Sequence, residues 1–315
     1  MTWEAALKEF ATYLKLERSL SPNSIAAYQR DVEKLTAYLQ QDGNPTPPLE
    51  VKAAQIENMM AWLYDLQLSP ASQARILSGL KTFYRFLIVS DYLDRAPTDF
   101  METPKQKRKI PDVLTVEEID TILNSIDLSN PRGQRNRAIL ELLYACGLRV
   151  TELCQLKISN VFRDINVISV VGKGDRERLV PIGEEAMRLL GVYIDFVRVQ
   201  ELPKKGFENI VFLNGRGAAI SRIQIFLIIK SAVEAVGIEK SVSPHTFRHS
   251  FATHLVEGGA DLRVVQDLLG HSSITTTEIY THIDTDYLRE TIQTFHPREI
   301  QRRERKKQEK NNQNN

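Results

Sequence analysis

From Asp94 to Pro111 the chain loses the helical periods that precede and follow it. This stretch holds three prolines and the run Lys105–Lys109 (KQKRK), four cations in five residues. Proline fixes φ and removes an amide donor, and like charges in a row repel, so the segment is unsuited to the interior of a helix or strand. It reads as a linker, and a linker there makes the 315-residue chain fold as two bodies. The expected organisation is a helical domain over 1–103, a basic linker over 104–111, a second domain over 112–297, and a tail over 298–315.

The first body reads as four helices. Trp3, Ala6, Leu7, Phe10, Tyr13 and Leu14 recur at helical spacing. Ser21-Pro22 starts a second helix and Asp42-Gly43 closes it. A third covers about 52–66, and a fourth begins at Pro70 with Ile76, Leu77, Leu80, Phe83, Tyr84 and Leu87 turned inward. The outer face of that fourth helix presents Arg75, Ser78, Lys81, Thr82 and Arg85. Cations and hydroxyls in a stripe suit a phosphate backbone, although a solvated helix face has the same composition. The linker cations Lys105, Lys107, Arg108 and Lys109 carry the same two readings.

In the second body, Thr115 and Glu118 match a capping box, with helices near 116–126 and 133–146. The period then changes. Val167–Val171 and Glu177–Pro181 read as two short strands joined through Gly172-Lys173-Gly174-Asp175, a hairpin with Lys173 near its tip. Helices resume near 183–200 and 221–236, with a short strand expected at Ile210–Leu213. Pro244 opens another helix, which Gly258 and Gly259 end, and 261–269 and 285–295 form two more. Ser272 and Ser273 are placed to cap a helix carrying Tyr280. The tail is charged and rich in Asn and Gln, a composition that predicts disorder.

Composition removes several classes of function. Two cysteines, Cys146 and Cys154, make no disulfide framework and no zinc site. No apolar run approaches the length of a membrane span, and the amino terminus lacks a signal-peptide pattern. A net charge of +1 announces no nucleic-acid partner by itself, so any such surface must come from one-sided placement of charge.

The polar groups that fall at element junctions are Arg149, Lys173, His245, Arg248, His271 and Tyr280. His245 and Arg248 share one face of a helical first turn. Together they form a cationic, donor-rich set that suits a phosphodiester: arginine offers a planar fork to two phosphate oxygens, and a tyrosine oxygen near a base can act as nucleophile. His245 and His249 stand at i and i+4 as a metal pair would, yet no HExxH and no third ligand accompany them.

Four motifs then occur in order: GLRVTEL, VVGKGDRERLVPI, SPHTFRHSFATHL and LLGHSSITTTEIYTHI, followed by His296-Pro297-Arg298. In this register the chain resembles the tyrosine recombinases over nearly its whole length, and within them the Xer branch of chromosome dimer resolvases. The resemblance implies a mainly α fold: an N-terminal four-helix, SAM-like core-binding domain, and a mostly helical catalytic domain with a small antiparallel β-sheet. It implies that Tyr280 attacks the scissile phosphate to give a 3′-phosphotyrosyl link. Arg149 and Arg248 would hold the non-bridging oxygens, with His271 adding a hydrogen bond. Lys173 would protonate the leaving 5′-oxygen, His245 would carry the tyrosine proton, and Glu152 would orient the cations.

The resemblance further implies four protomers, identical or shared with a paralogous recombinase, around two double-stranded DNA sites. It implies a Holliday-junction intermediate, no metal or other cofactor, activation by an FtsK-type translocase, and a cytoplasmic, nucleoid-associated location. The segment after Tyr280 would pack on a neighbouring protomer. A small phage or mobile-element integrase is the near alternative, and a non-catalytic DNA-binding factor the distant one.

Overall fold

Serine and proline set the starts of two helices in the N-terminal part. Ser21 accepts a hydrogen bond from the Ser24 amide and Ser69 from the Ser72 amide, with proline in the first turn of each helix that follows. The structure is a computed structural model that describes residues 1–41, 46–104, 112–172, 177–270 and 282–313, and the backbone alone at 282–286 and 309–313. It divides the chain into two units, Met1–Lys109 and Ile110–Asn315, and the division falls inside 104–111.

The N-terminal unit contains α1 (Trp3–Leu16), α2 (Pro22–Gln40), α3 (Ala53–Asp65) and α4 (Pro70–Val89). Its core is aromatic: Phe10 and Phe83 meet edge to face at 5.2 Å, and Trp3 stacks on Phe83. Gly79 lets α2 and α4 approach, because a Cβ there would lie 2.7 Å from the Cβ of Asp31. Asp31 is buried and pairs with Arg75 at 2.6 Å. Burial pushes the Asp31 carboxyl up, against the opposing charge of Arg75.

The second unit contains α5 (Val116–Asn124), α6 (Pro131–Ala145) and α7 (Val150–Cys154), then a sheet of β1 (Val161–Phe162), β2 (Val167–Val171) and β3 (Glu177–Pro181). The strands are antiparallel in the order β1-β2-β3, with Val167 opposite Pro181 and Val171 opposite Glu177. Next come α8 (Glu184–Val192), which runs into a π turn at Tyr193–Val197, and α9 (Arg222–Ala235). The chain continues through α10 (Pro244–Glu257), α11 (Leu262–Leu269), α12 (His282–Phe295) and α13 (Pro297–Gln313). The capping box of Thr115 and Glu118 forms, with both reciprocal hydrogen bonds present. Cys146 and Cys154 are buried free thiols; burial raises both, Cys154 to about 11.

Two expectations are corrected. Ile210–Leu213 forms no strand, only isolated bridges between Lys157 and Ile210 and between Leu213 and Ala219. Its apolar run reflects burial of Val211, Phe212 and Leu213 in the core. The tail is helix α13 as far as Gln313. Its Glu, Arg, Lys and Gln are strong helix formers, and its first turns are tied to the same chain. Arg298 pairs with Asp120 at 2.6 Å and with the buried Glu141 at 3.1 Å, while Arg302 pairs with Glu299 and Glu184. Composition shows the charges and not their partners.

His296, between α12 and α13, is 1% exposed and lies against the rings of Tyr144 and Phe251. Burial pulls its imidazole down to about 3. The unfolded chain takes up a proton near pH 6.5 that the folded chain refuses until about 3, so stability falls as pH drops through that window. The expected slope from this group is about 1.4 kcal/mol per pH unit. His296→Asn should therefore unfold earlier at pH 7.5 yet lose less Tm between pH 6.5 and 5 than the parent, as circular dichroism melts would show. Equal slopes would place the acid sensitivity in another group.

Candidate active site

Arg149 ends an irregular turn and is the N-cap of α7; three residues on, Glu152 lies in that helix's first turn. The spacing folds the Glu152 carboxylate back onto its own N-cap. One oxygen accepts from the Arg149 amide at 2.8 Å, and the other from the Arg149 guanidinium at 2.8 Å. The local helix start thus sets the direction of the Arg149 side chain. Glu152 is 2% exposed. Burial alone would raise its carboxyl, but hydrogen bonds from Arg178 and Arg149 hold it below its ordinary value.

Arg248 reaches the same place from α10, where it too is buried. It donates at 2.5 Å to the Gly147 carbonyl and at 2.5 Å to the Leu269 carbonyl. Arg149 donates its other terminal nitrogen to the next carbonyl, Gly270, at 3.0 Å. Two guanidiniums therefore close the C-terminal end of α11, where backbone oxygens lack helical partners and the helix dipole is negative. Burial and then the charge of Arg149 pull Arg248 down to about 10. A pair of arginines with one destabilised by desolvation and repulsion is a site that an anion would stabilise.

A third guanidinium was not singled out by the sequence. Arg178 on β3 is 8% exposed and grips Glu152 with both terminal nitrogens, at 2.6 and 3.0 Å. The available signal was alternation: in Glu177-Arg178-Leu179-Val180 the arginine takes a buried position of the strand. A cation there calls for a buried partner. Gly270 lies directly over it with φ +64°, and a Cβ there would stand 2.9 Å from Cδ and Nε of Arg178. Gly147 also has positive φ, and a Cβ on it would strike the ring of Phe251.

The structure brings together Arg149, Glu152 and Arg248. His245 is exposed on the first turn of α10, and His249 is exposed one turn later. His254 is buried and bonded to the Tyr144 hydroxyl at 2.9 Å, a structural role. Lys173, His271 and Tyr280 lie outside the described residues, as do Lys105, Lys107, Arg108 and Lys109. The strands flanking Lys173 are paired as the sequence predicted, and His271 directly follows Gly270. In the N-terminal unit the basic stripe is altered by pairing: Arg75 is engaged with Asp31, and Lys81 donates to the Met101 carbonyl at 2.6 Å, while Arg85 is exposed.

The order of a four-helix unit followed along the chain by a mostly helical unit with a small sheet has counterparts among known proteins. The phage integrase family profile matches residues 112–286, and the profile of the phage integrase N-terminal SAM-like domain matches 7–90. The chain belongs to the phage integrase family, the tyrosine recombinases. More particularly, it is 42% identical over 295 residues to tyrosine recombinase XerD of Staphylococcus haemolyticus, covering 94% of this chain and 99% of that one. XerD of Chlorobaculum tepidum is 42% identical over 299 residues, 94% of this chain and 97% of the relative. The fold is also that of the XerH site-specific recombinase in its post-cleavage complex with a palindromic difH substrate. That likeness has a TM-score of 0.67 at 23% identity, covering 91% of this chain and 84% of the other.

Gly270 offers a test of this packing. Gly270→Ala should destabilise the protein by about 1–3 kcal/mol, through its left-handed backbone and the contact with Arg178. Urea denaturation measures this, and a variant as stable as the parent would show that the guanidinium yields freely.

Proposed function

We propose that this chain is a site-specific DNA recombinase that resolves chromosome dimers by cutting and rejoining duplex DNA through a 3′-phosphotyrosyl link. The observation that carries the reading is the anchored arginine pair. Arg149 and Arg248 are fixed from behind by backbone carbonyls and Glu152, and Arg248 is destabilised by burial and like charge. A scissile phosphate supplies the missing negative charge. Its two non-bridging oxygens suit two guanidiniums whose orientation is set before it arrives, so little reorganisation accompanies the rise of charge in the transition state.

Around that pair the reaction is an exchange of esters. The Tyr280 oxygen attacks phosphorus and its proton passes to His245. The bond from phosphorus to the 5′-oxygen breaks, and Lys173 protonates that oxygen as it leaves. His271 adds a donor to the phosphate. Attack by a 5′-hydroxyl from a partner strand reverses each step and restores the tyrosine. One phosphodiester is exchanged for another, so the chemistry needs no nucleotide hydrolysis.

The working assembly in this reading is four protomers on two DNA sites, alone or with a paralogous recombinase, under an FtsK-type translocase. Its place is the cytoplasm, on the nucleoid. No helix among the described residues is long and apolar enough to cross a membrane. The exposed Arg85 and the linker cations Lys105, Lys107, Arg108 and Lys109 are the phosphate-backbone contacts that this reading assigns. Arg75 and Lys81 of the original stripe serve it less well, because their head groups already hold Asp31 and the Met101 carbonyl.

Covalent trapping on nicked duplexes carrying candidate chromosomal sites, in excess EDTA, tests the chemistry. The parent should give a denaturation-resistant protein–DNA band and Tyr280→Phe none. Tight binding without a band, even beside a partner recombinase, would make the chain a binding factor. For the stripe, Arg85→Ala should lower the slope of log affinity against log salt by about one contact with no change in Tm. An unchanged slope would return that face to solvent.

A further inference from the structure

We propose that Arg178 is a positioning residue for strand cleavage: it neutralises and immobilises the Glu152 carboxylate, leaving the Arg149 guanidinium aimed and its charge available to the scissile phosphate. This rests on the recombinase reading and concerns a side chain to which none of the site motifs gave a role.

Glu152 has an awkward task. To fix Arg149 it must stand 2.8 Å from that guanidinium, and a carboxylate so close cancels the charge that the phosphate needs. Arg178 relieves this. Its two terminal nitrogens bind the two Glu152 oxygens as a fork, at 2.6 and 3.0 Å. Three guanidiniums, those of Arg149, Arg178 and Arg248, then stand against one carboxylate, and the surplus lies with the pair that meets the phosphate. The fork also leaves the carboxylate little freedom to rotate, so the remaining hydrogen bonds to Arg149 have one geometry.

Enclosure argues that Arg178 acts through Glu152 rather than on DNA. Its side chain is 8% exposed, both terminal nitrogens are committed to the carboxylate, and Gly270 covers Cδ and Nε. Nε is buried without a hydrogen-bond partner among the described residues. Its strand position is fixed as well, opposite Val170 in the β2–β3 pairing. Lysine at 178 would keep the charge and lose the fork.

The test is single-turnover cleavage of a nicked substrate by the full chain, with DNA affinity measured in parallel. Arg178→Gln should slow cleavage ~100-fold with affinity changed less than ~3-fold, and Arg178→Lys should fall between it and the parent. Adding Glu152→Gln to Arg178→Gln should recover at least ~10-fold, because the uncompensated carboxylate is gone. A 5′-bridging phosphorothiolate, whose sulfur departs without a proton, should rescue Lys173→Ala and leave Arg178→Gln slow.

Several results would overturn the proposal: parental rates for Arg178→Gln, no recovery in the double variant, or rescue of Arg178→Gln by sulfur. The last would give Arg178 to the hairpin lysine instead. If Arg178→Gln alone does not fold, the comparison moves to the Glu152→Gln background, where a loss beyond ~10-fold on adding Arg178→Gln would refute action through the carboxylate. A parent chain that traps no DNA would sink the recombinase reading and this inference together. A parent that traps DNA beside an unaffected Arg178→Gln would sink the inference alone.

Discussion

Two consecutive carbonyls, those of Leu269 and Gly270, hold the arginines of two different helices. Much of the second unit can be read as the means of bringing those groups together. α11 must end at Gly270 in a left-handed conformation so that its last oxygens are free of helical partners. α10 must present Arg248 from a buried face, and the turn at Gly147 must admit the Phe251 ring. α7 must begin at Arg149 so that Glu152 folds back on it. Each bond from a guanidinium to a carbonyl contributes only about 1.5–3 kcal/mol in exchange for water. Their value is geometric, because they hold like charges in one place before any phosphate is bound.

The same logic accounts for what could be read from the sequence. Helix starts were legible at Ser21, Pro70, Thr115 and Pro244 because the signals of a helix start are local, settled within four residues. The two strands were legible to the residue, with β2 and β3 spanning the ranges that the change of period marked. Arg149 and Arg248 were legible from their places at element junctions and Glu152 from the family resemblance, and the structure brings the three together.

Long-range partners were less visible. Arg178 looked like one more charged residue on a strand until its contact with Glu152, 26 positions away, was seen. Arg75 looked free and is held by Asp31, 44 positions away. The tail's composition predicts disorder because the partners of its cations, Asp120, Glu141 and Glu184, lie far away in the sequence. In each case the sequence showed a charge and its helical or strand face, while the fold supplied the counter-charge. Buried ion pairs between distant segments leave no periodicity, which is why pattern reading passes over them.

The cysteines lead to something practical. Both thiols are enclosed and their ionisation is suppressed, Cys154 to about 11. At neutral pH the reactive thiolate of such a group is roughly a hundredfold scarcer than that of an ordinary exposed cysteine, before the barrier of access is counted. The native chain therefore serves as a nearly silent background for maleimide chemistry. A single cysteine engineered on the surface, at exposed Ser78 of α4 for instance, would take up a fluorophore ahead of both native thiols. Conformational change during a reaction cycle could then be followed against a second dye on the DNA, without first stripping the protein of its own sulfur.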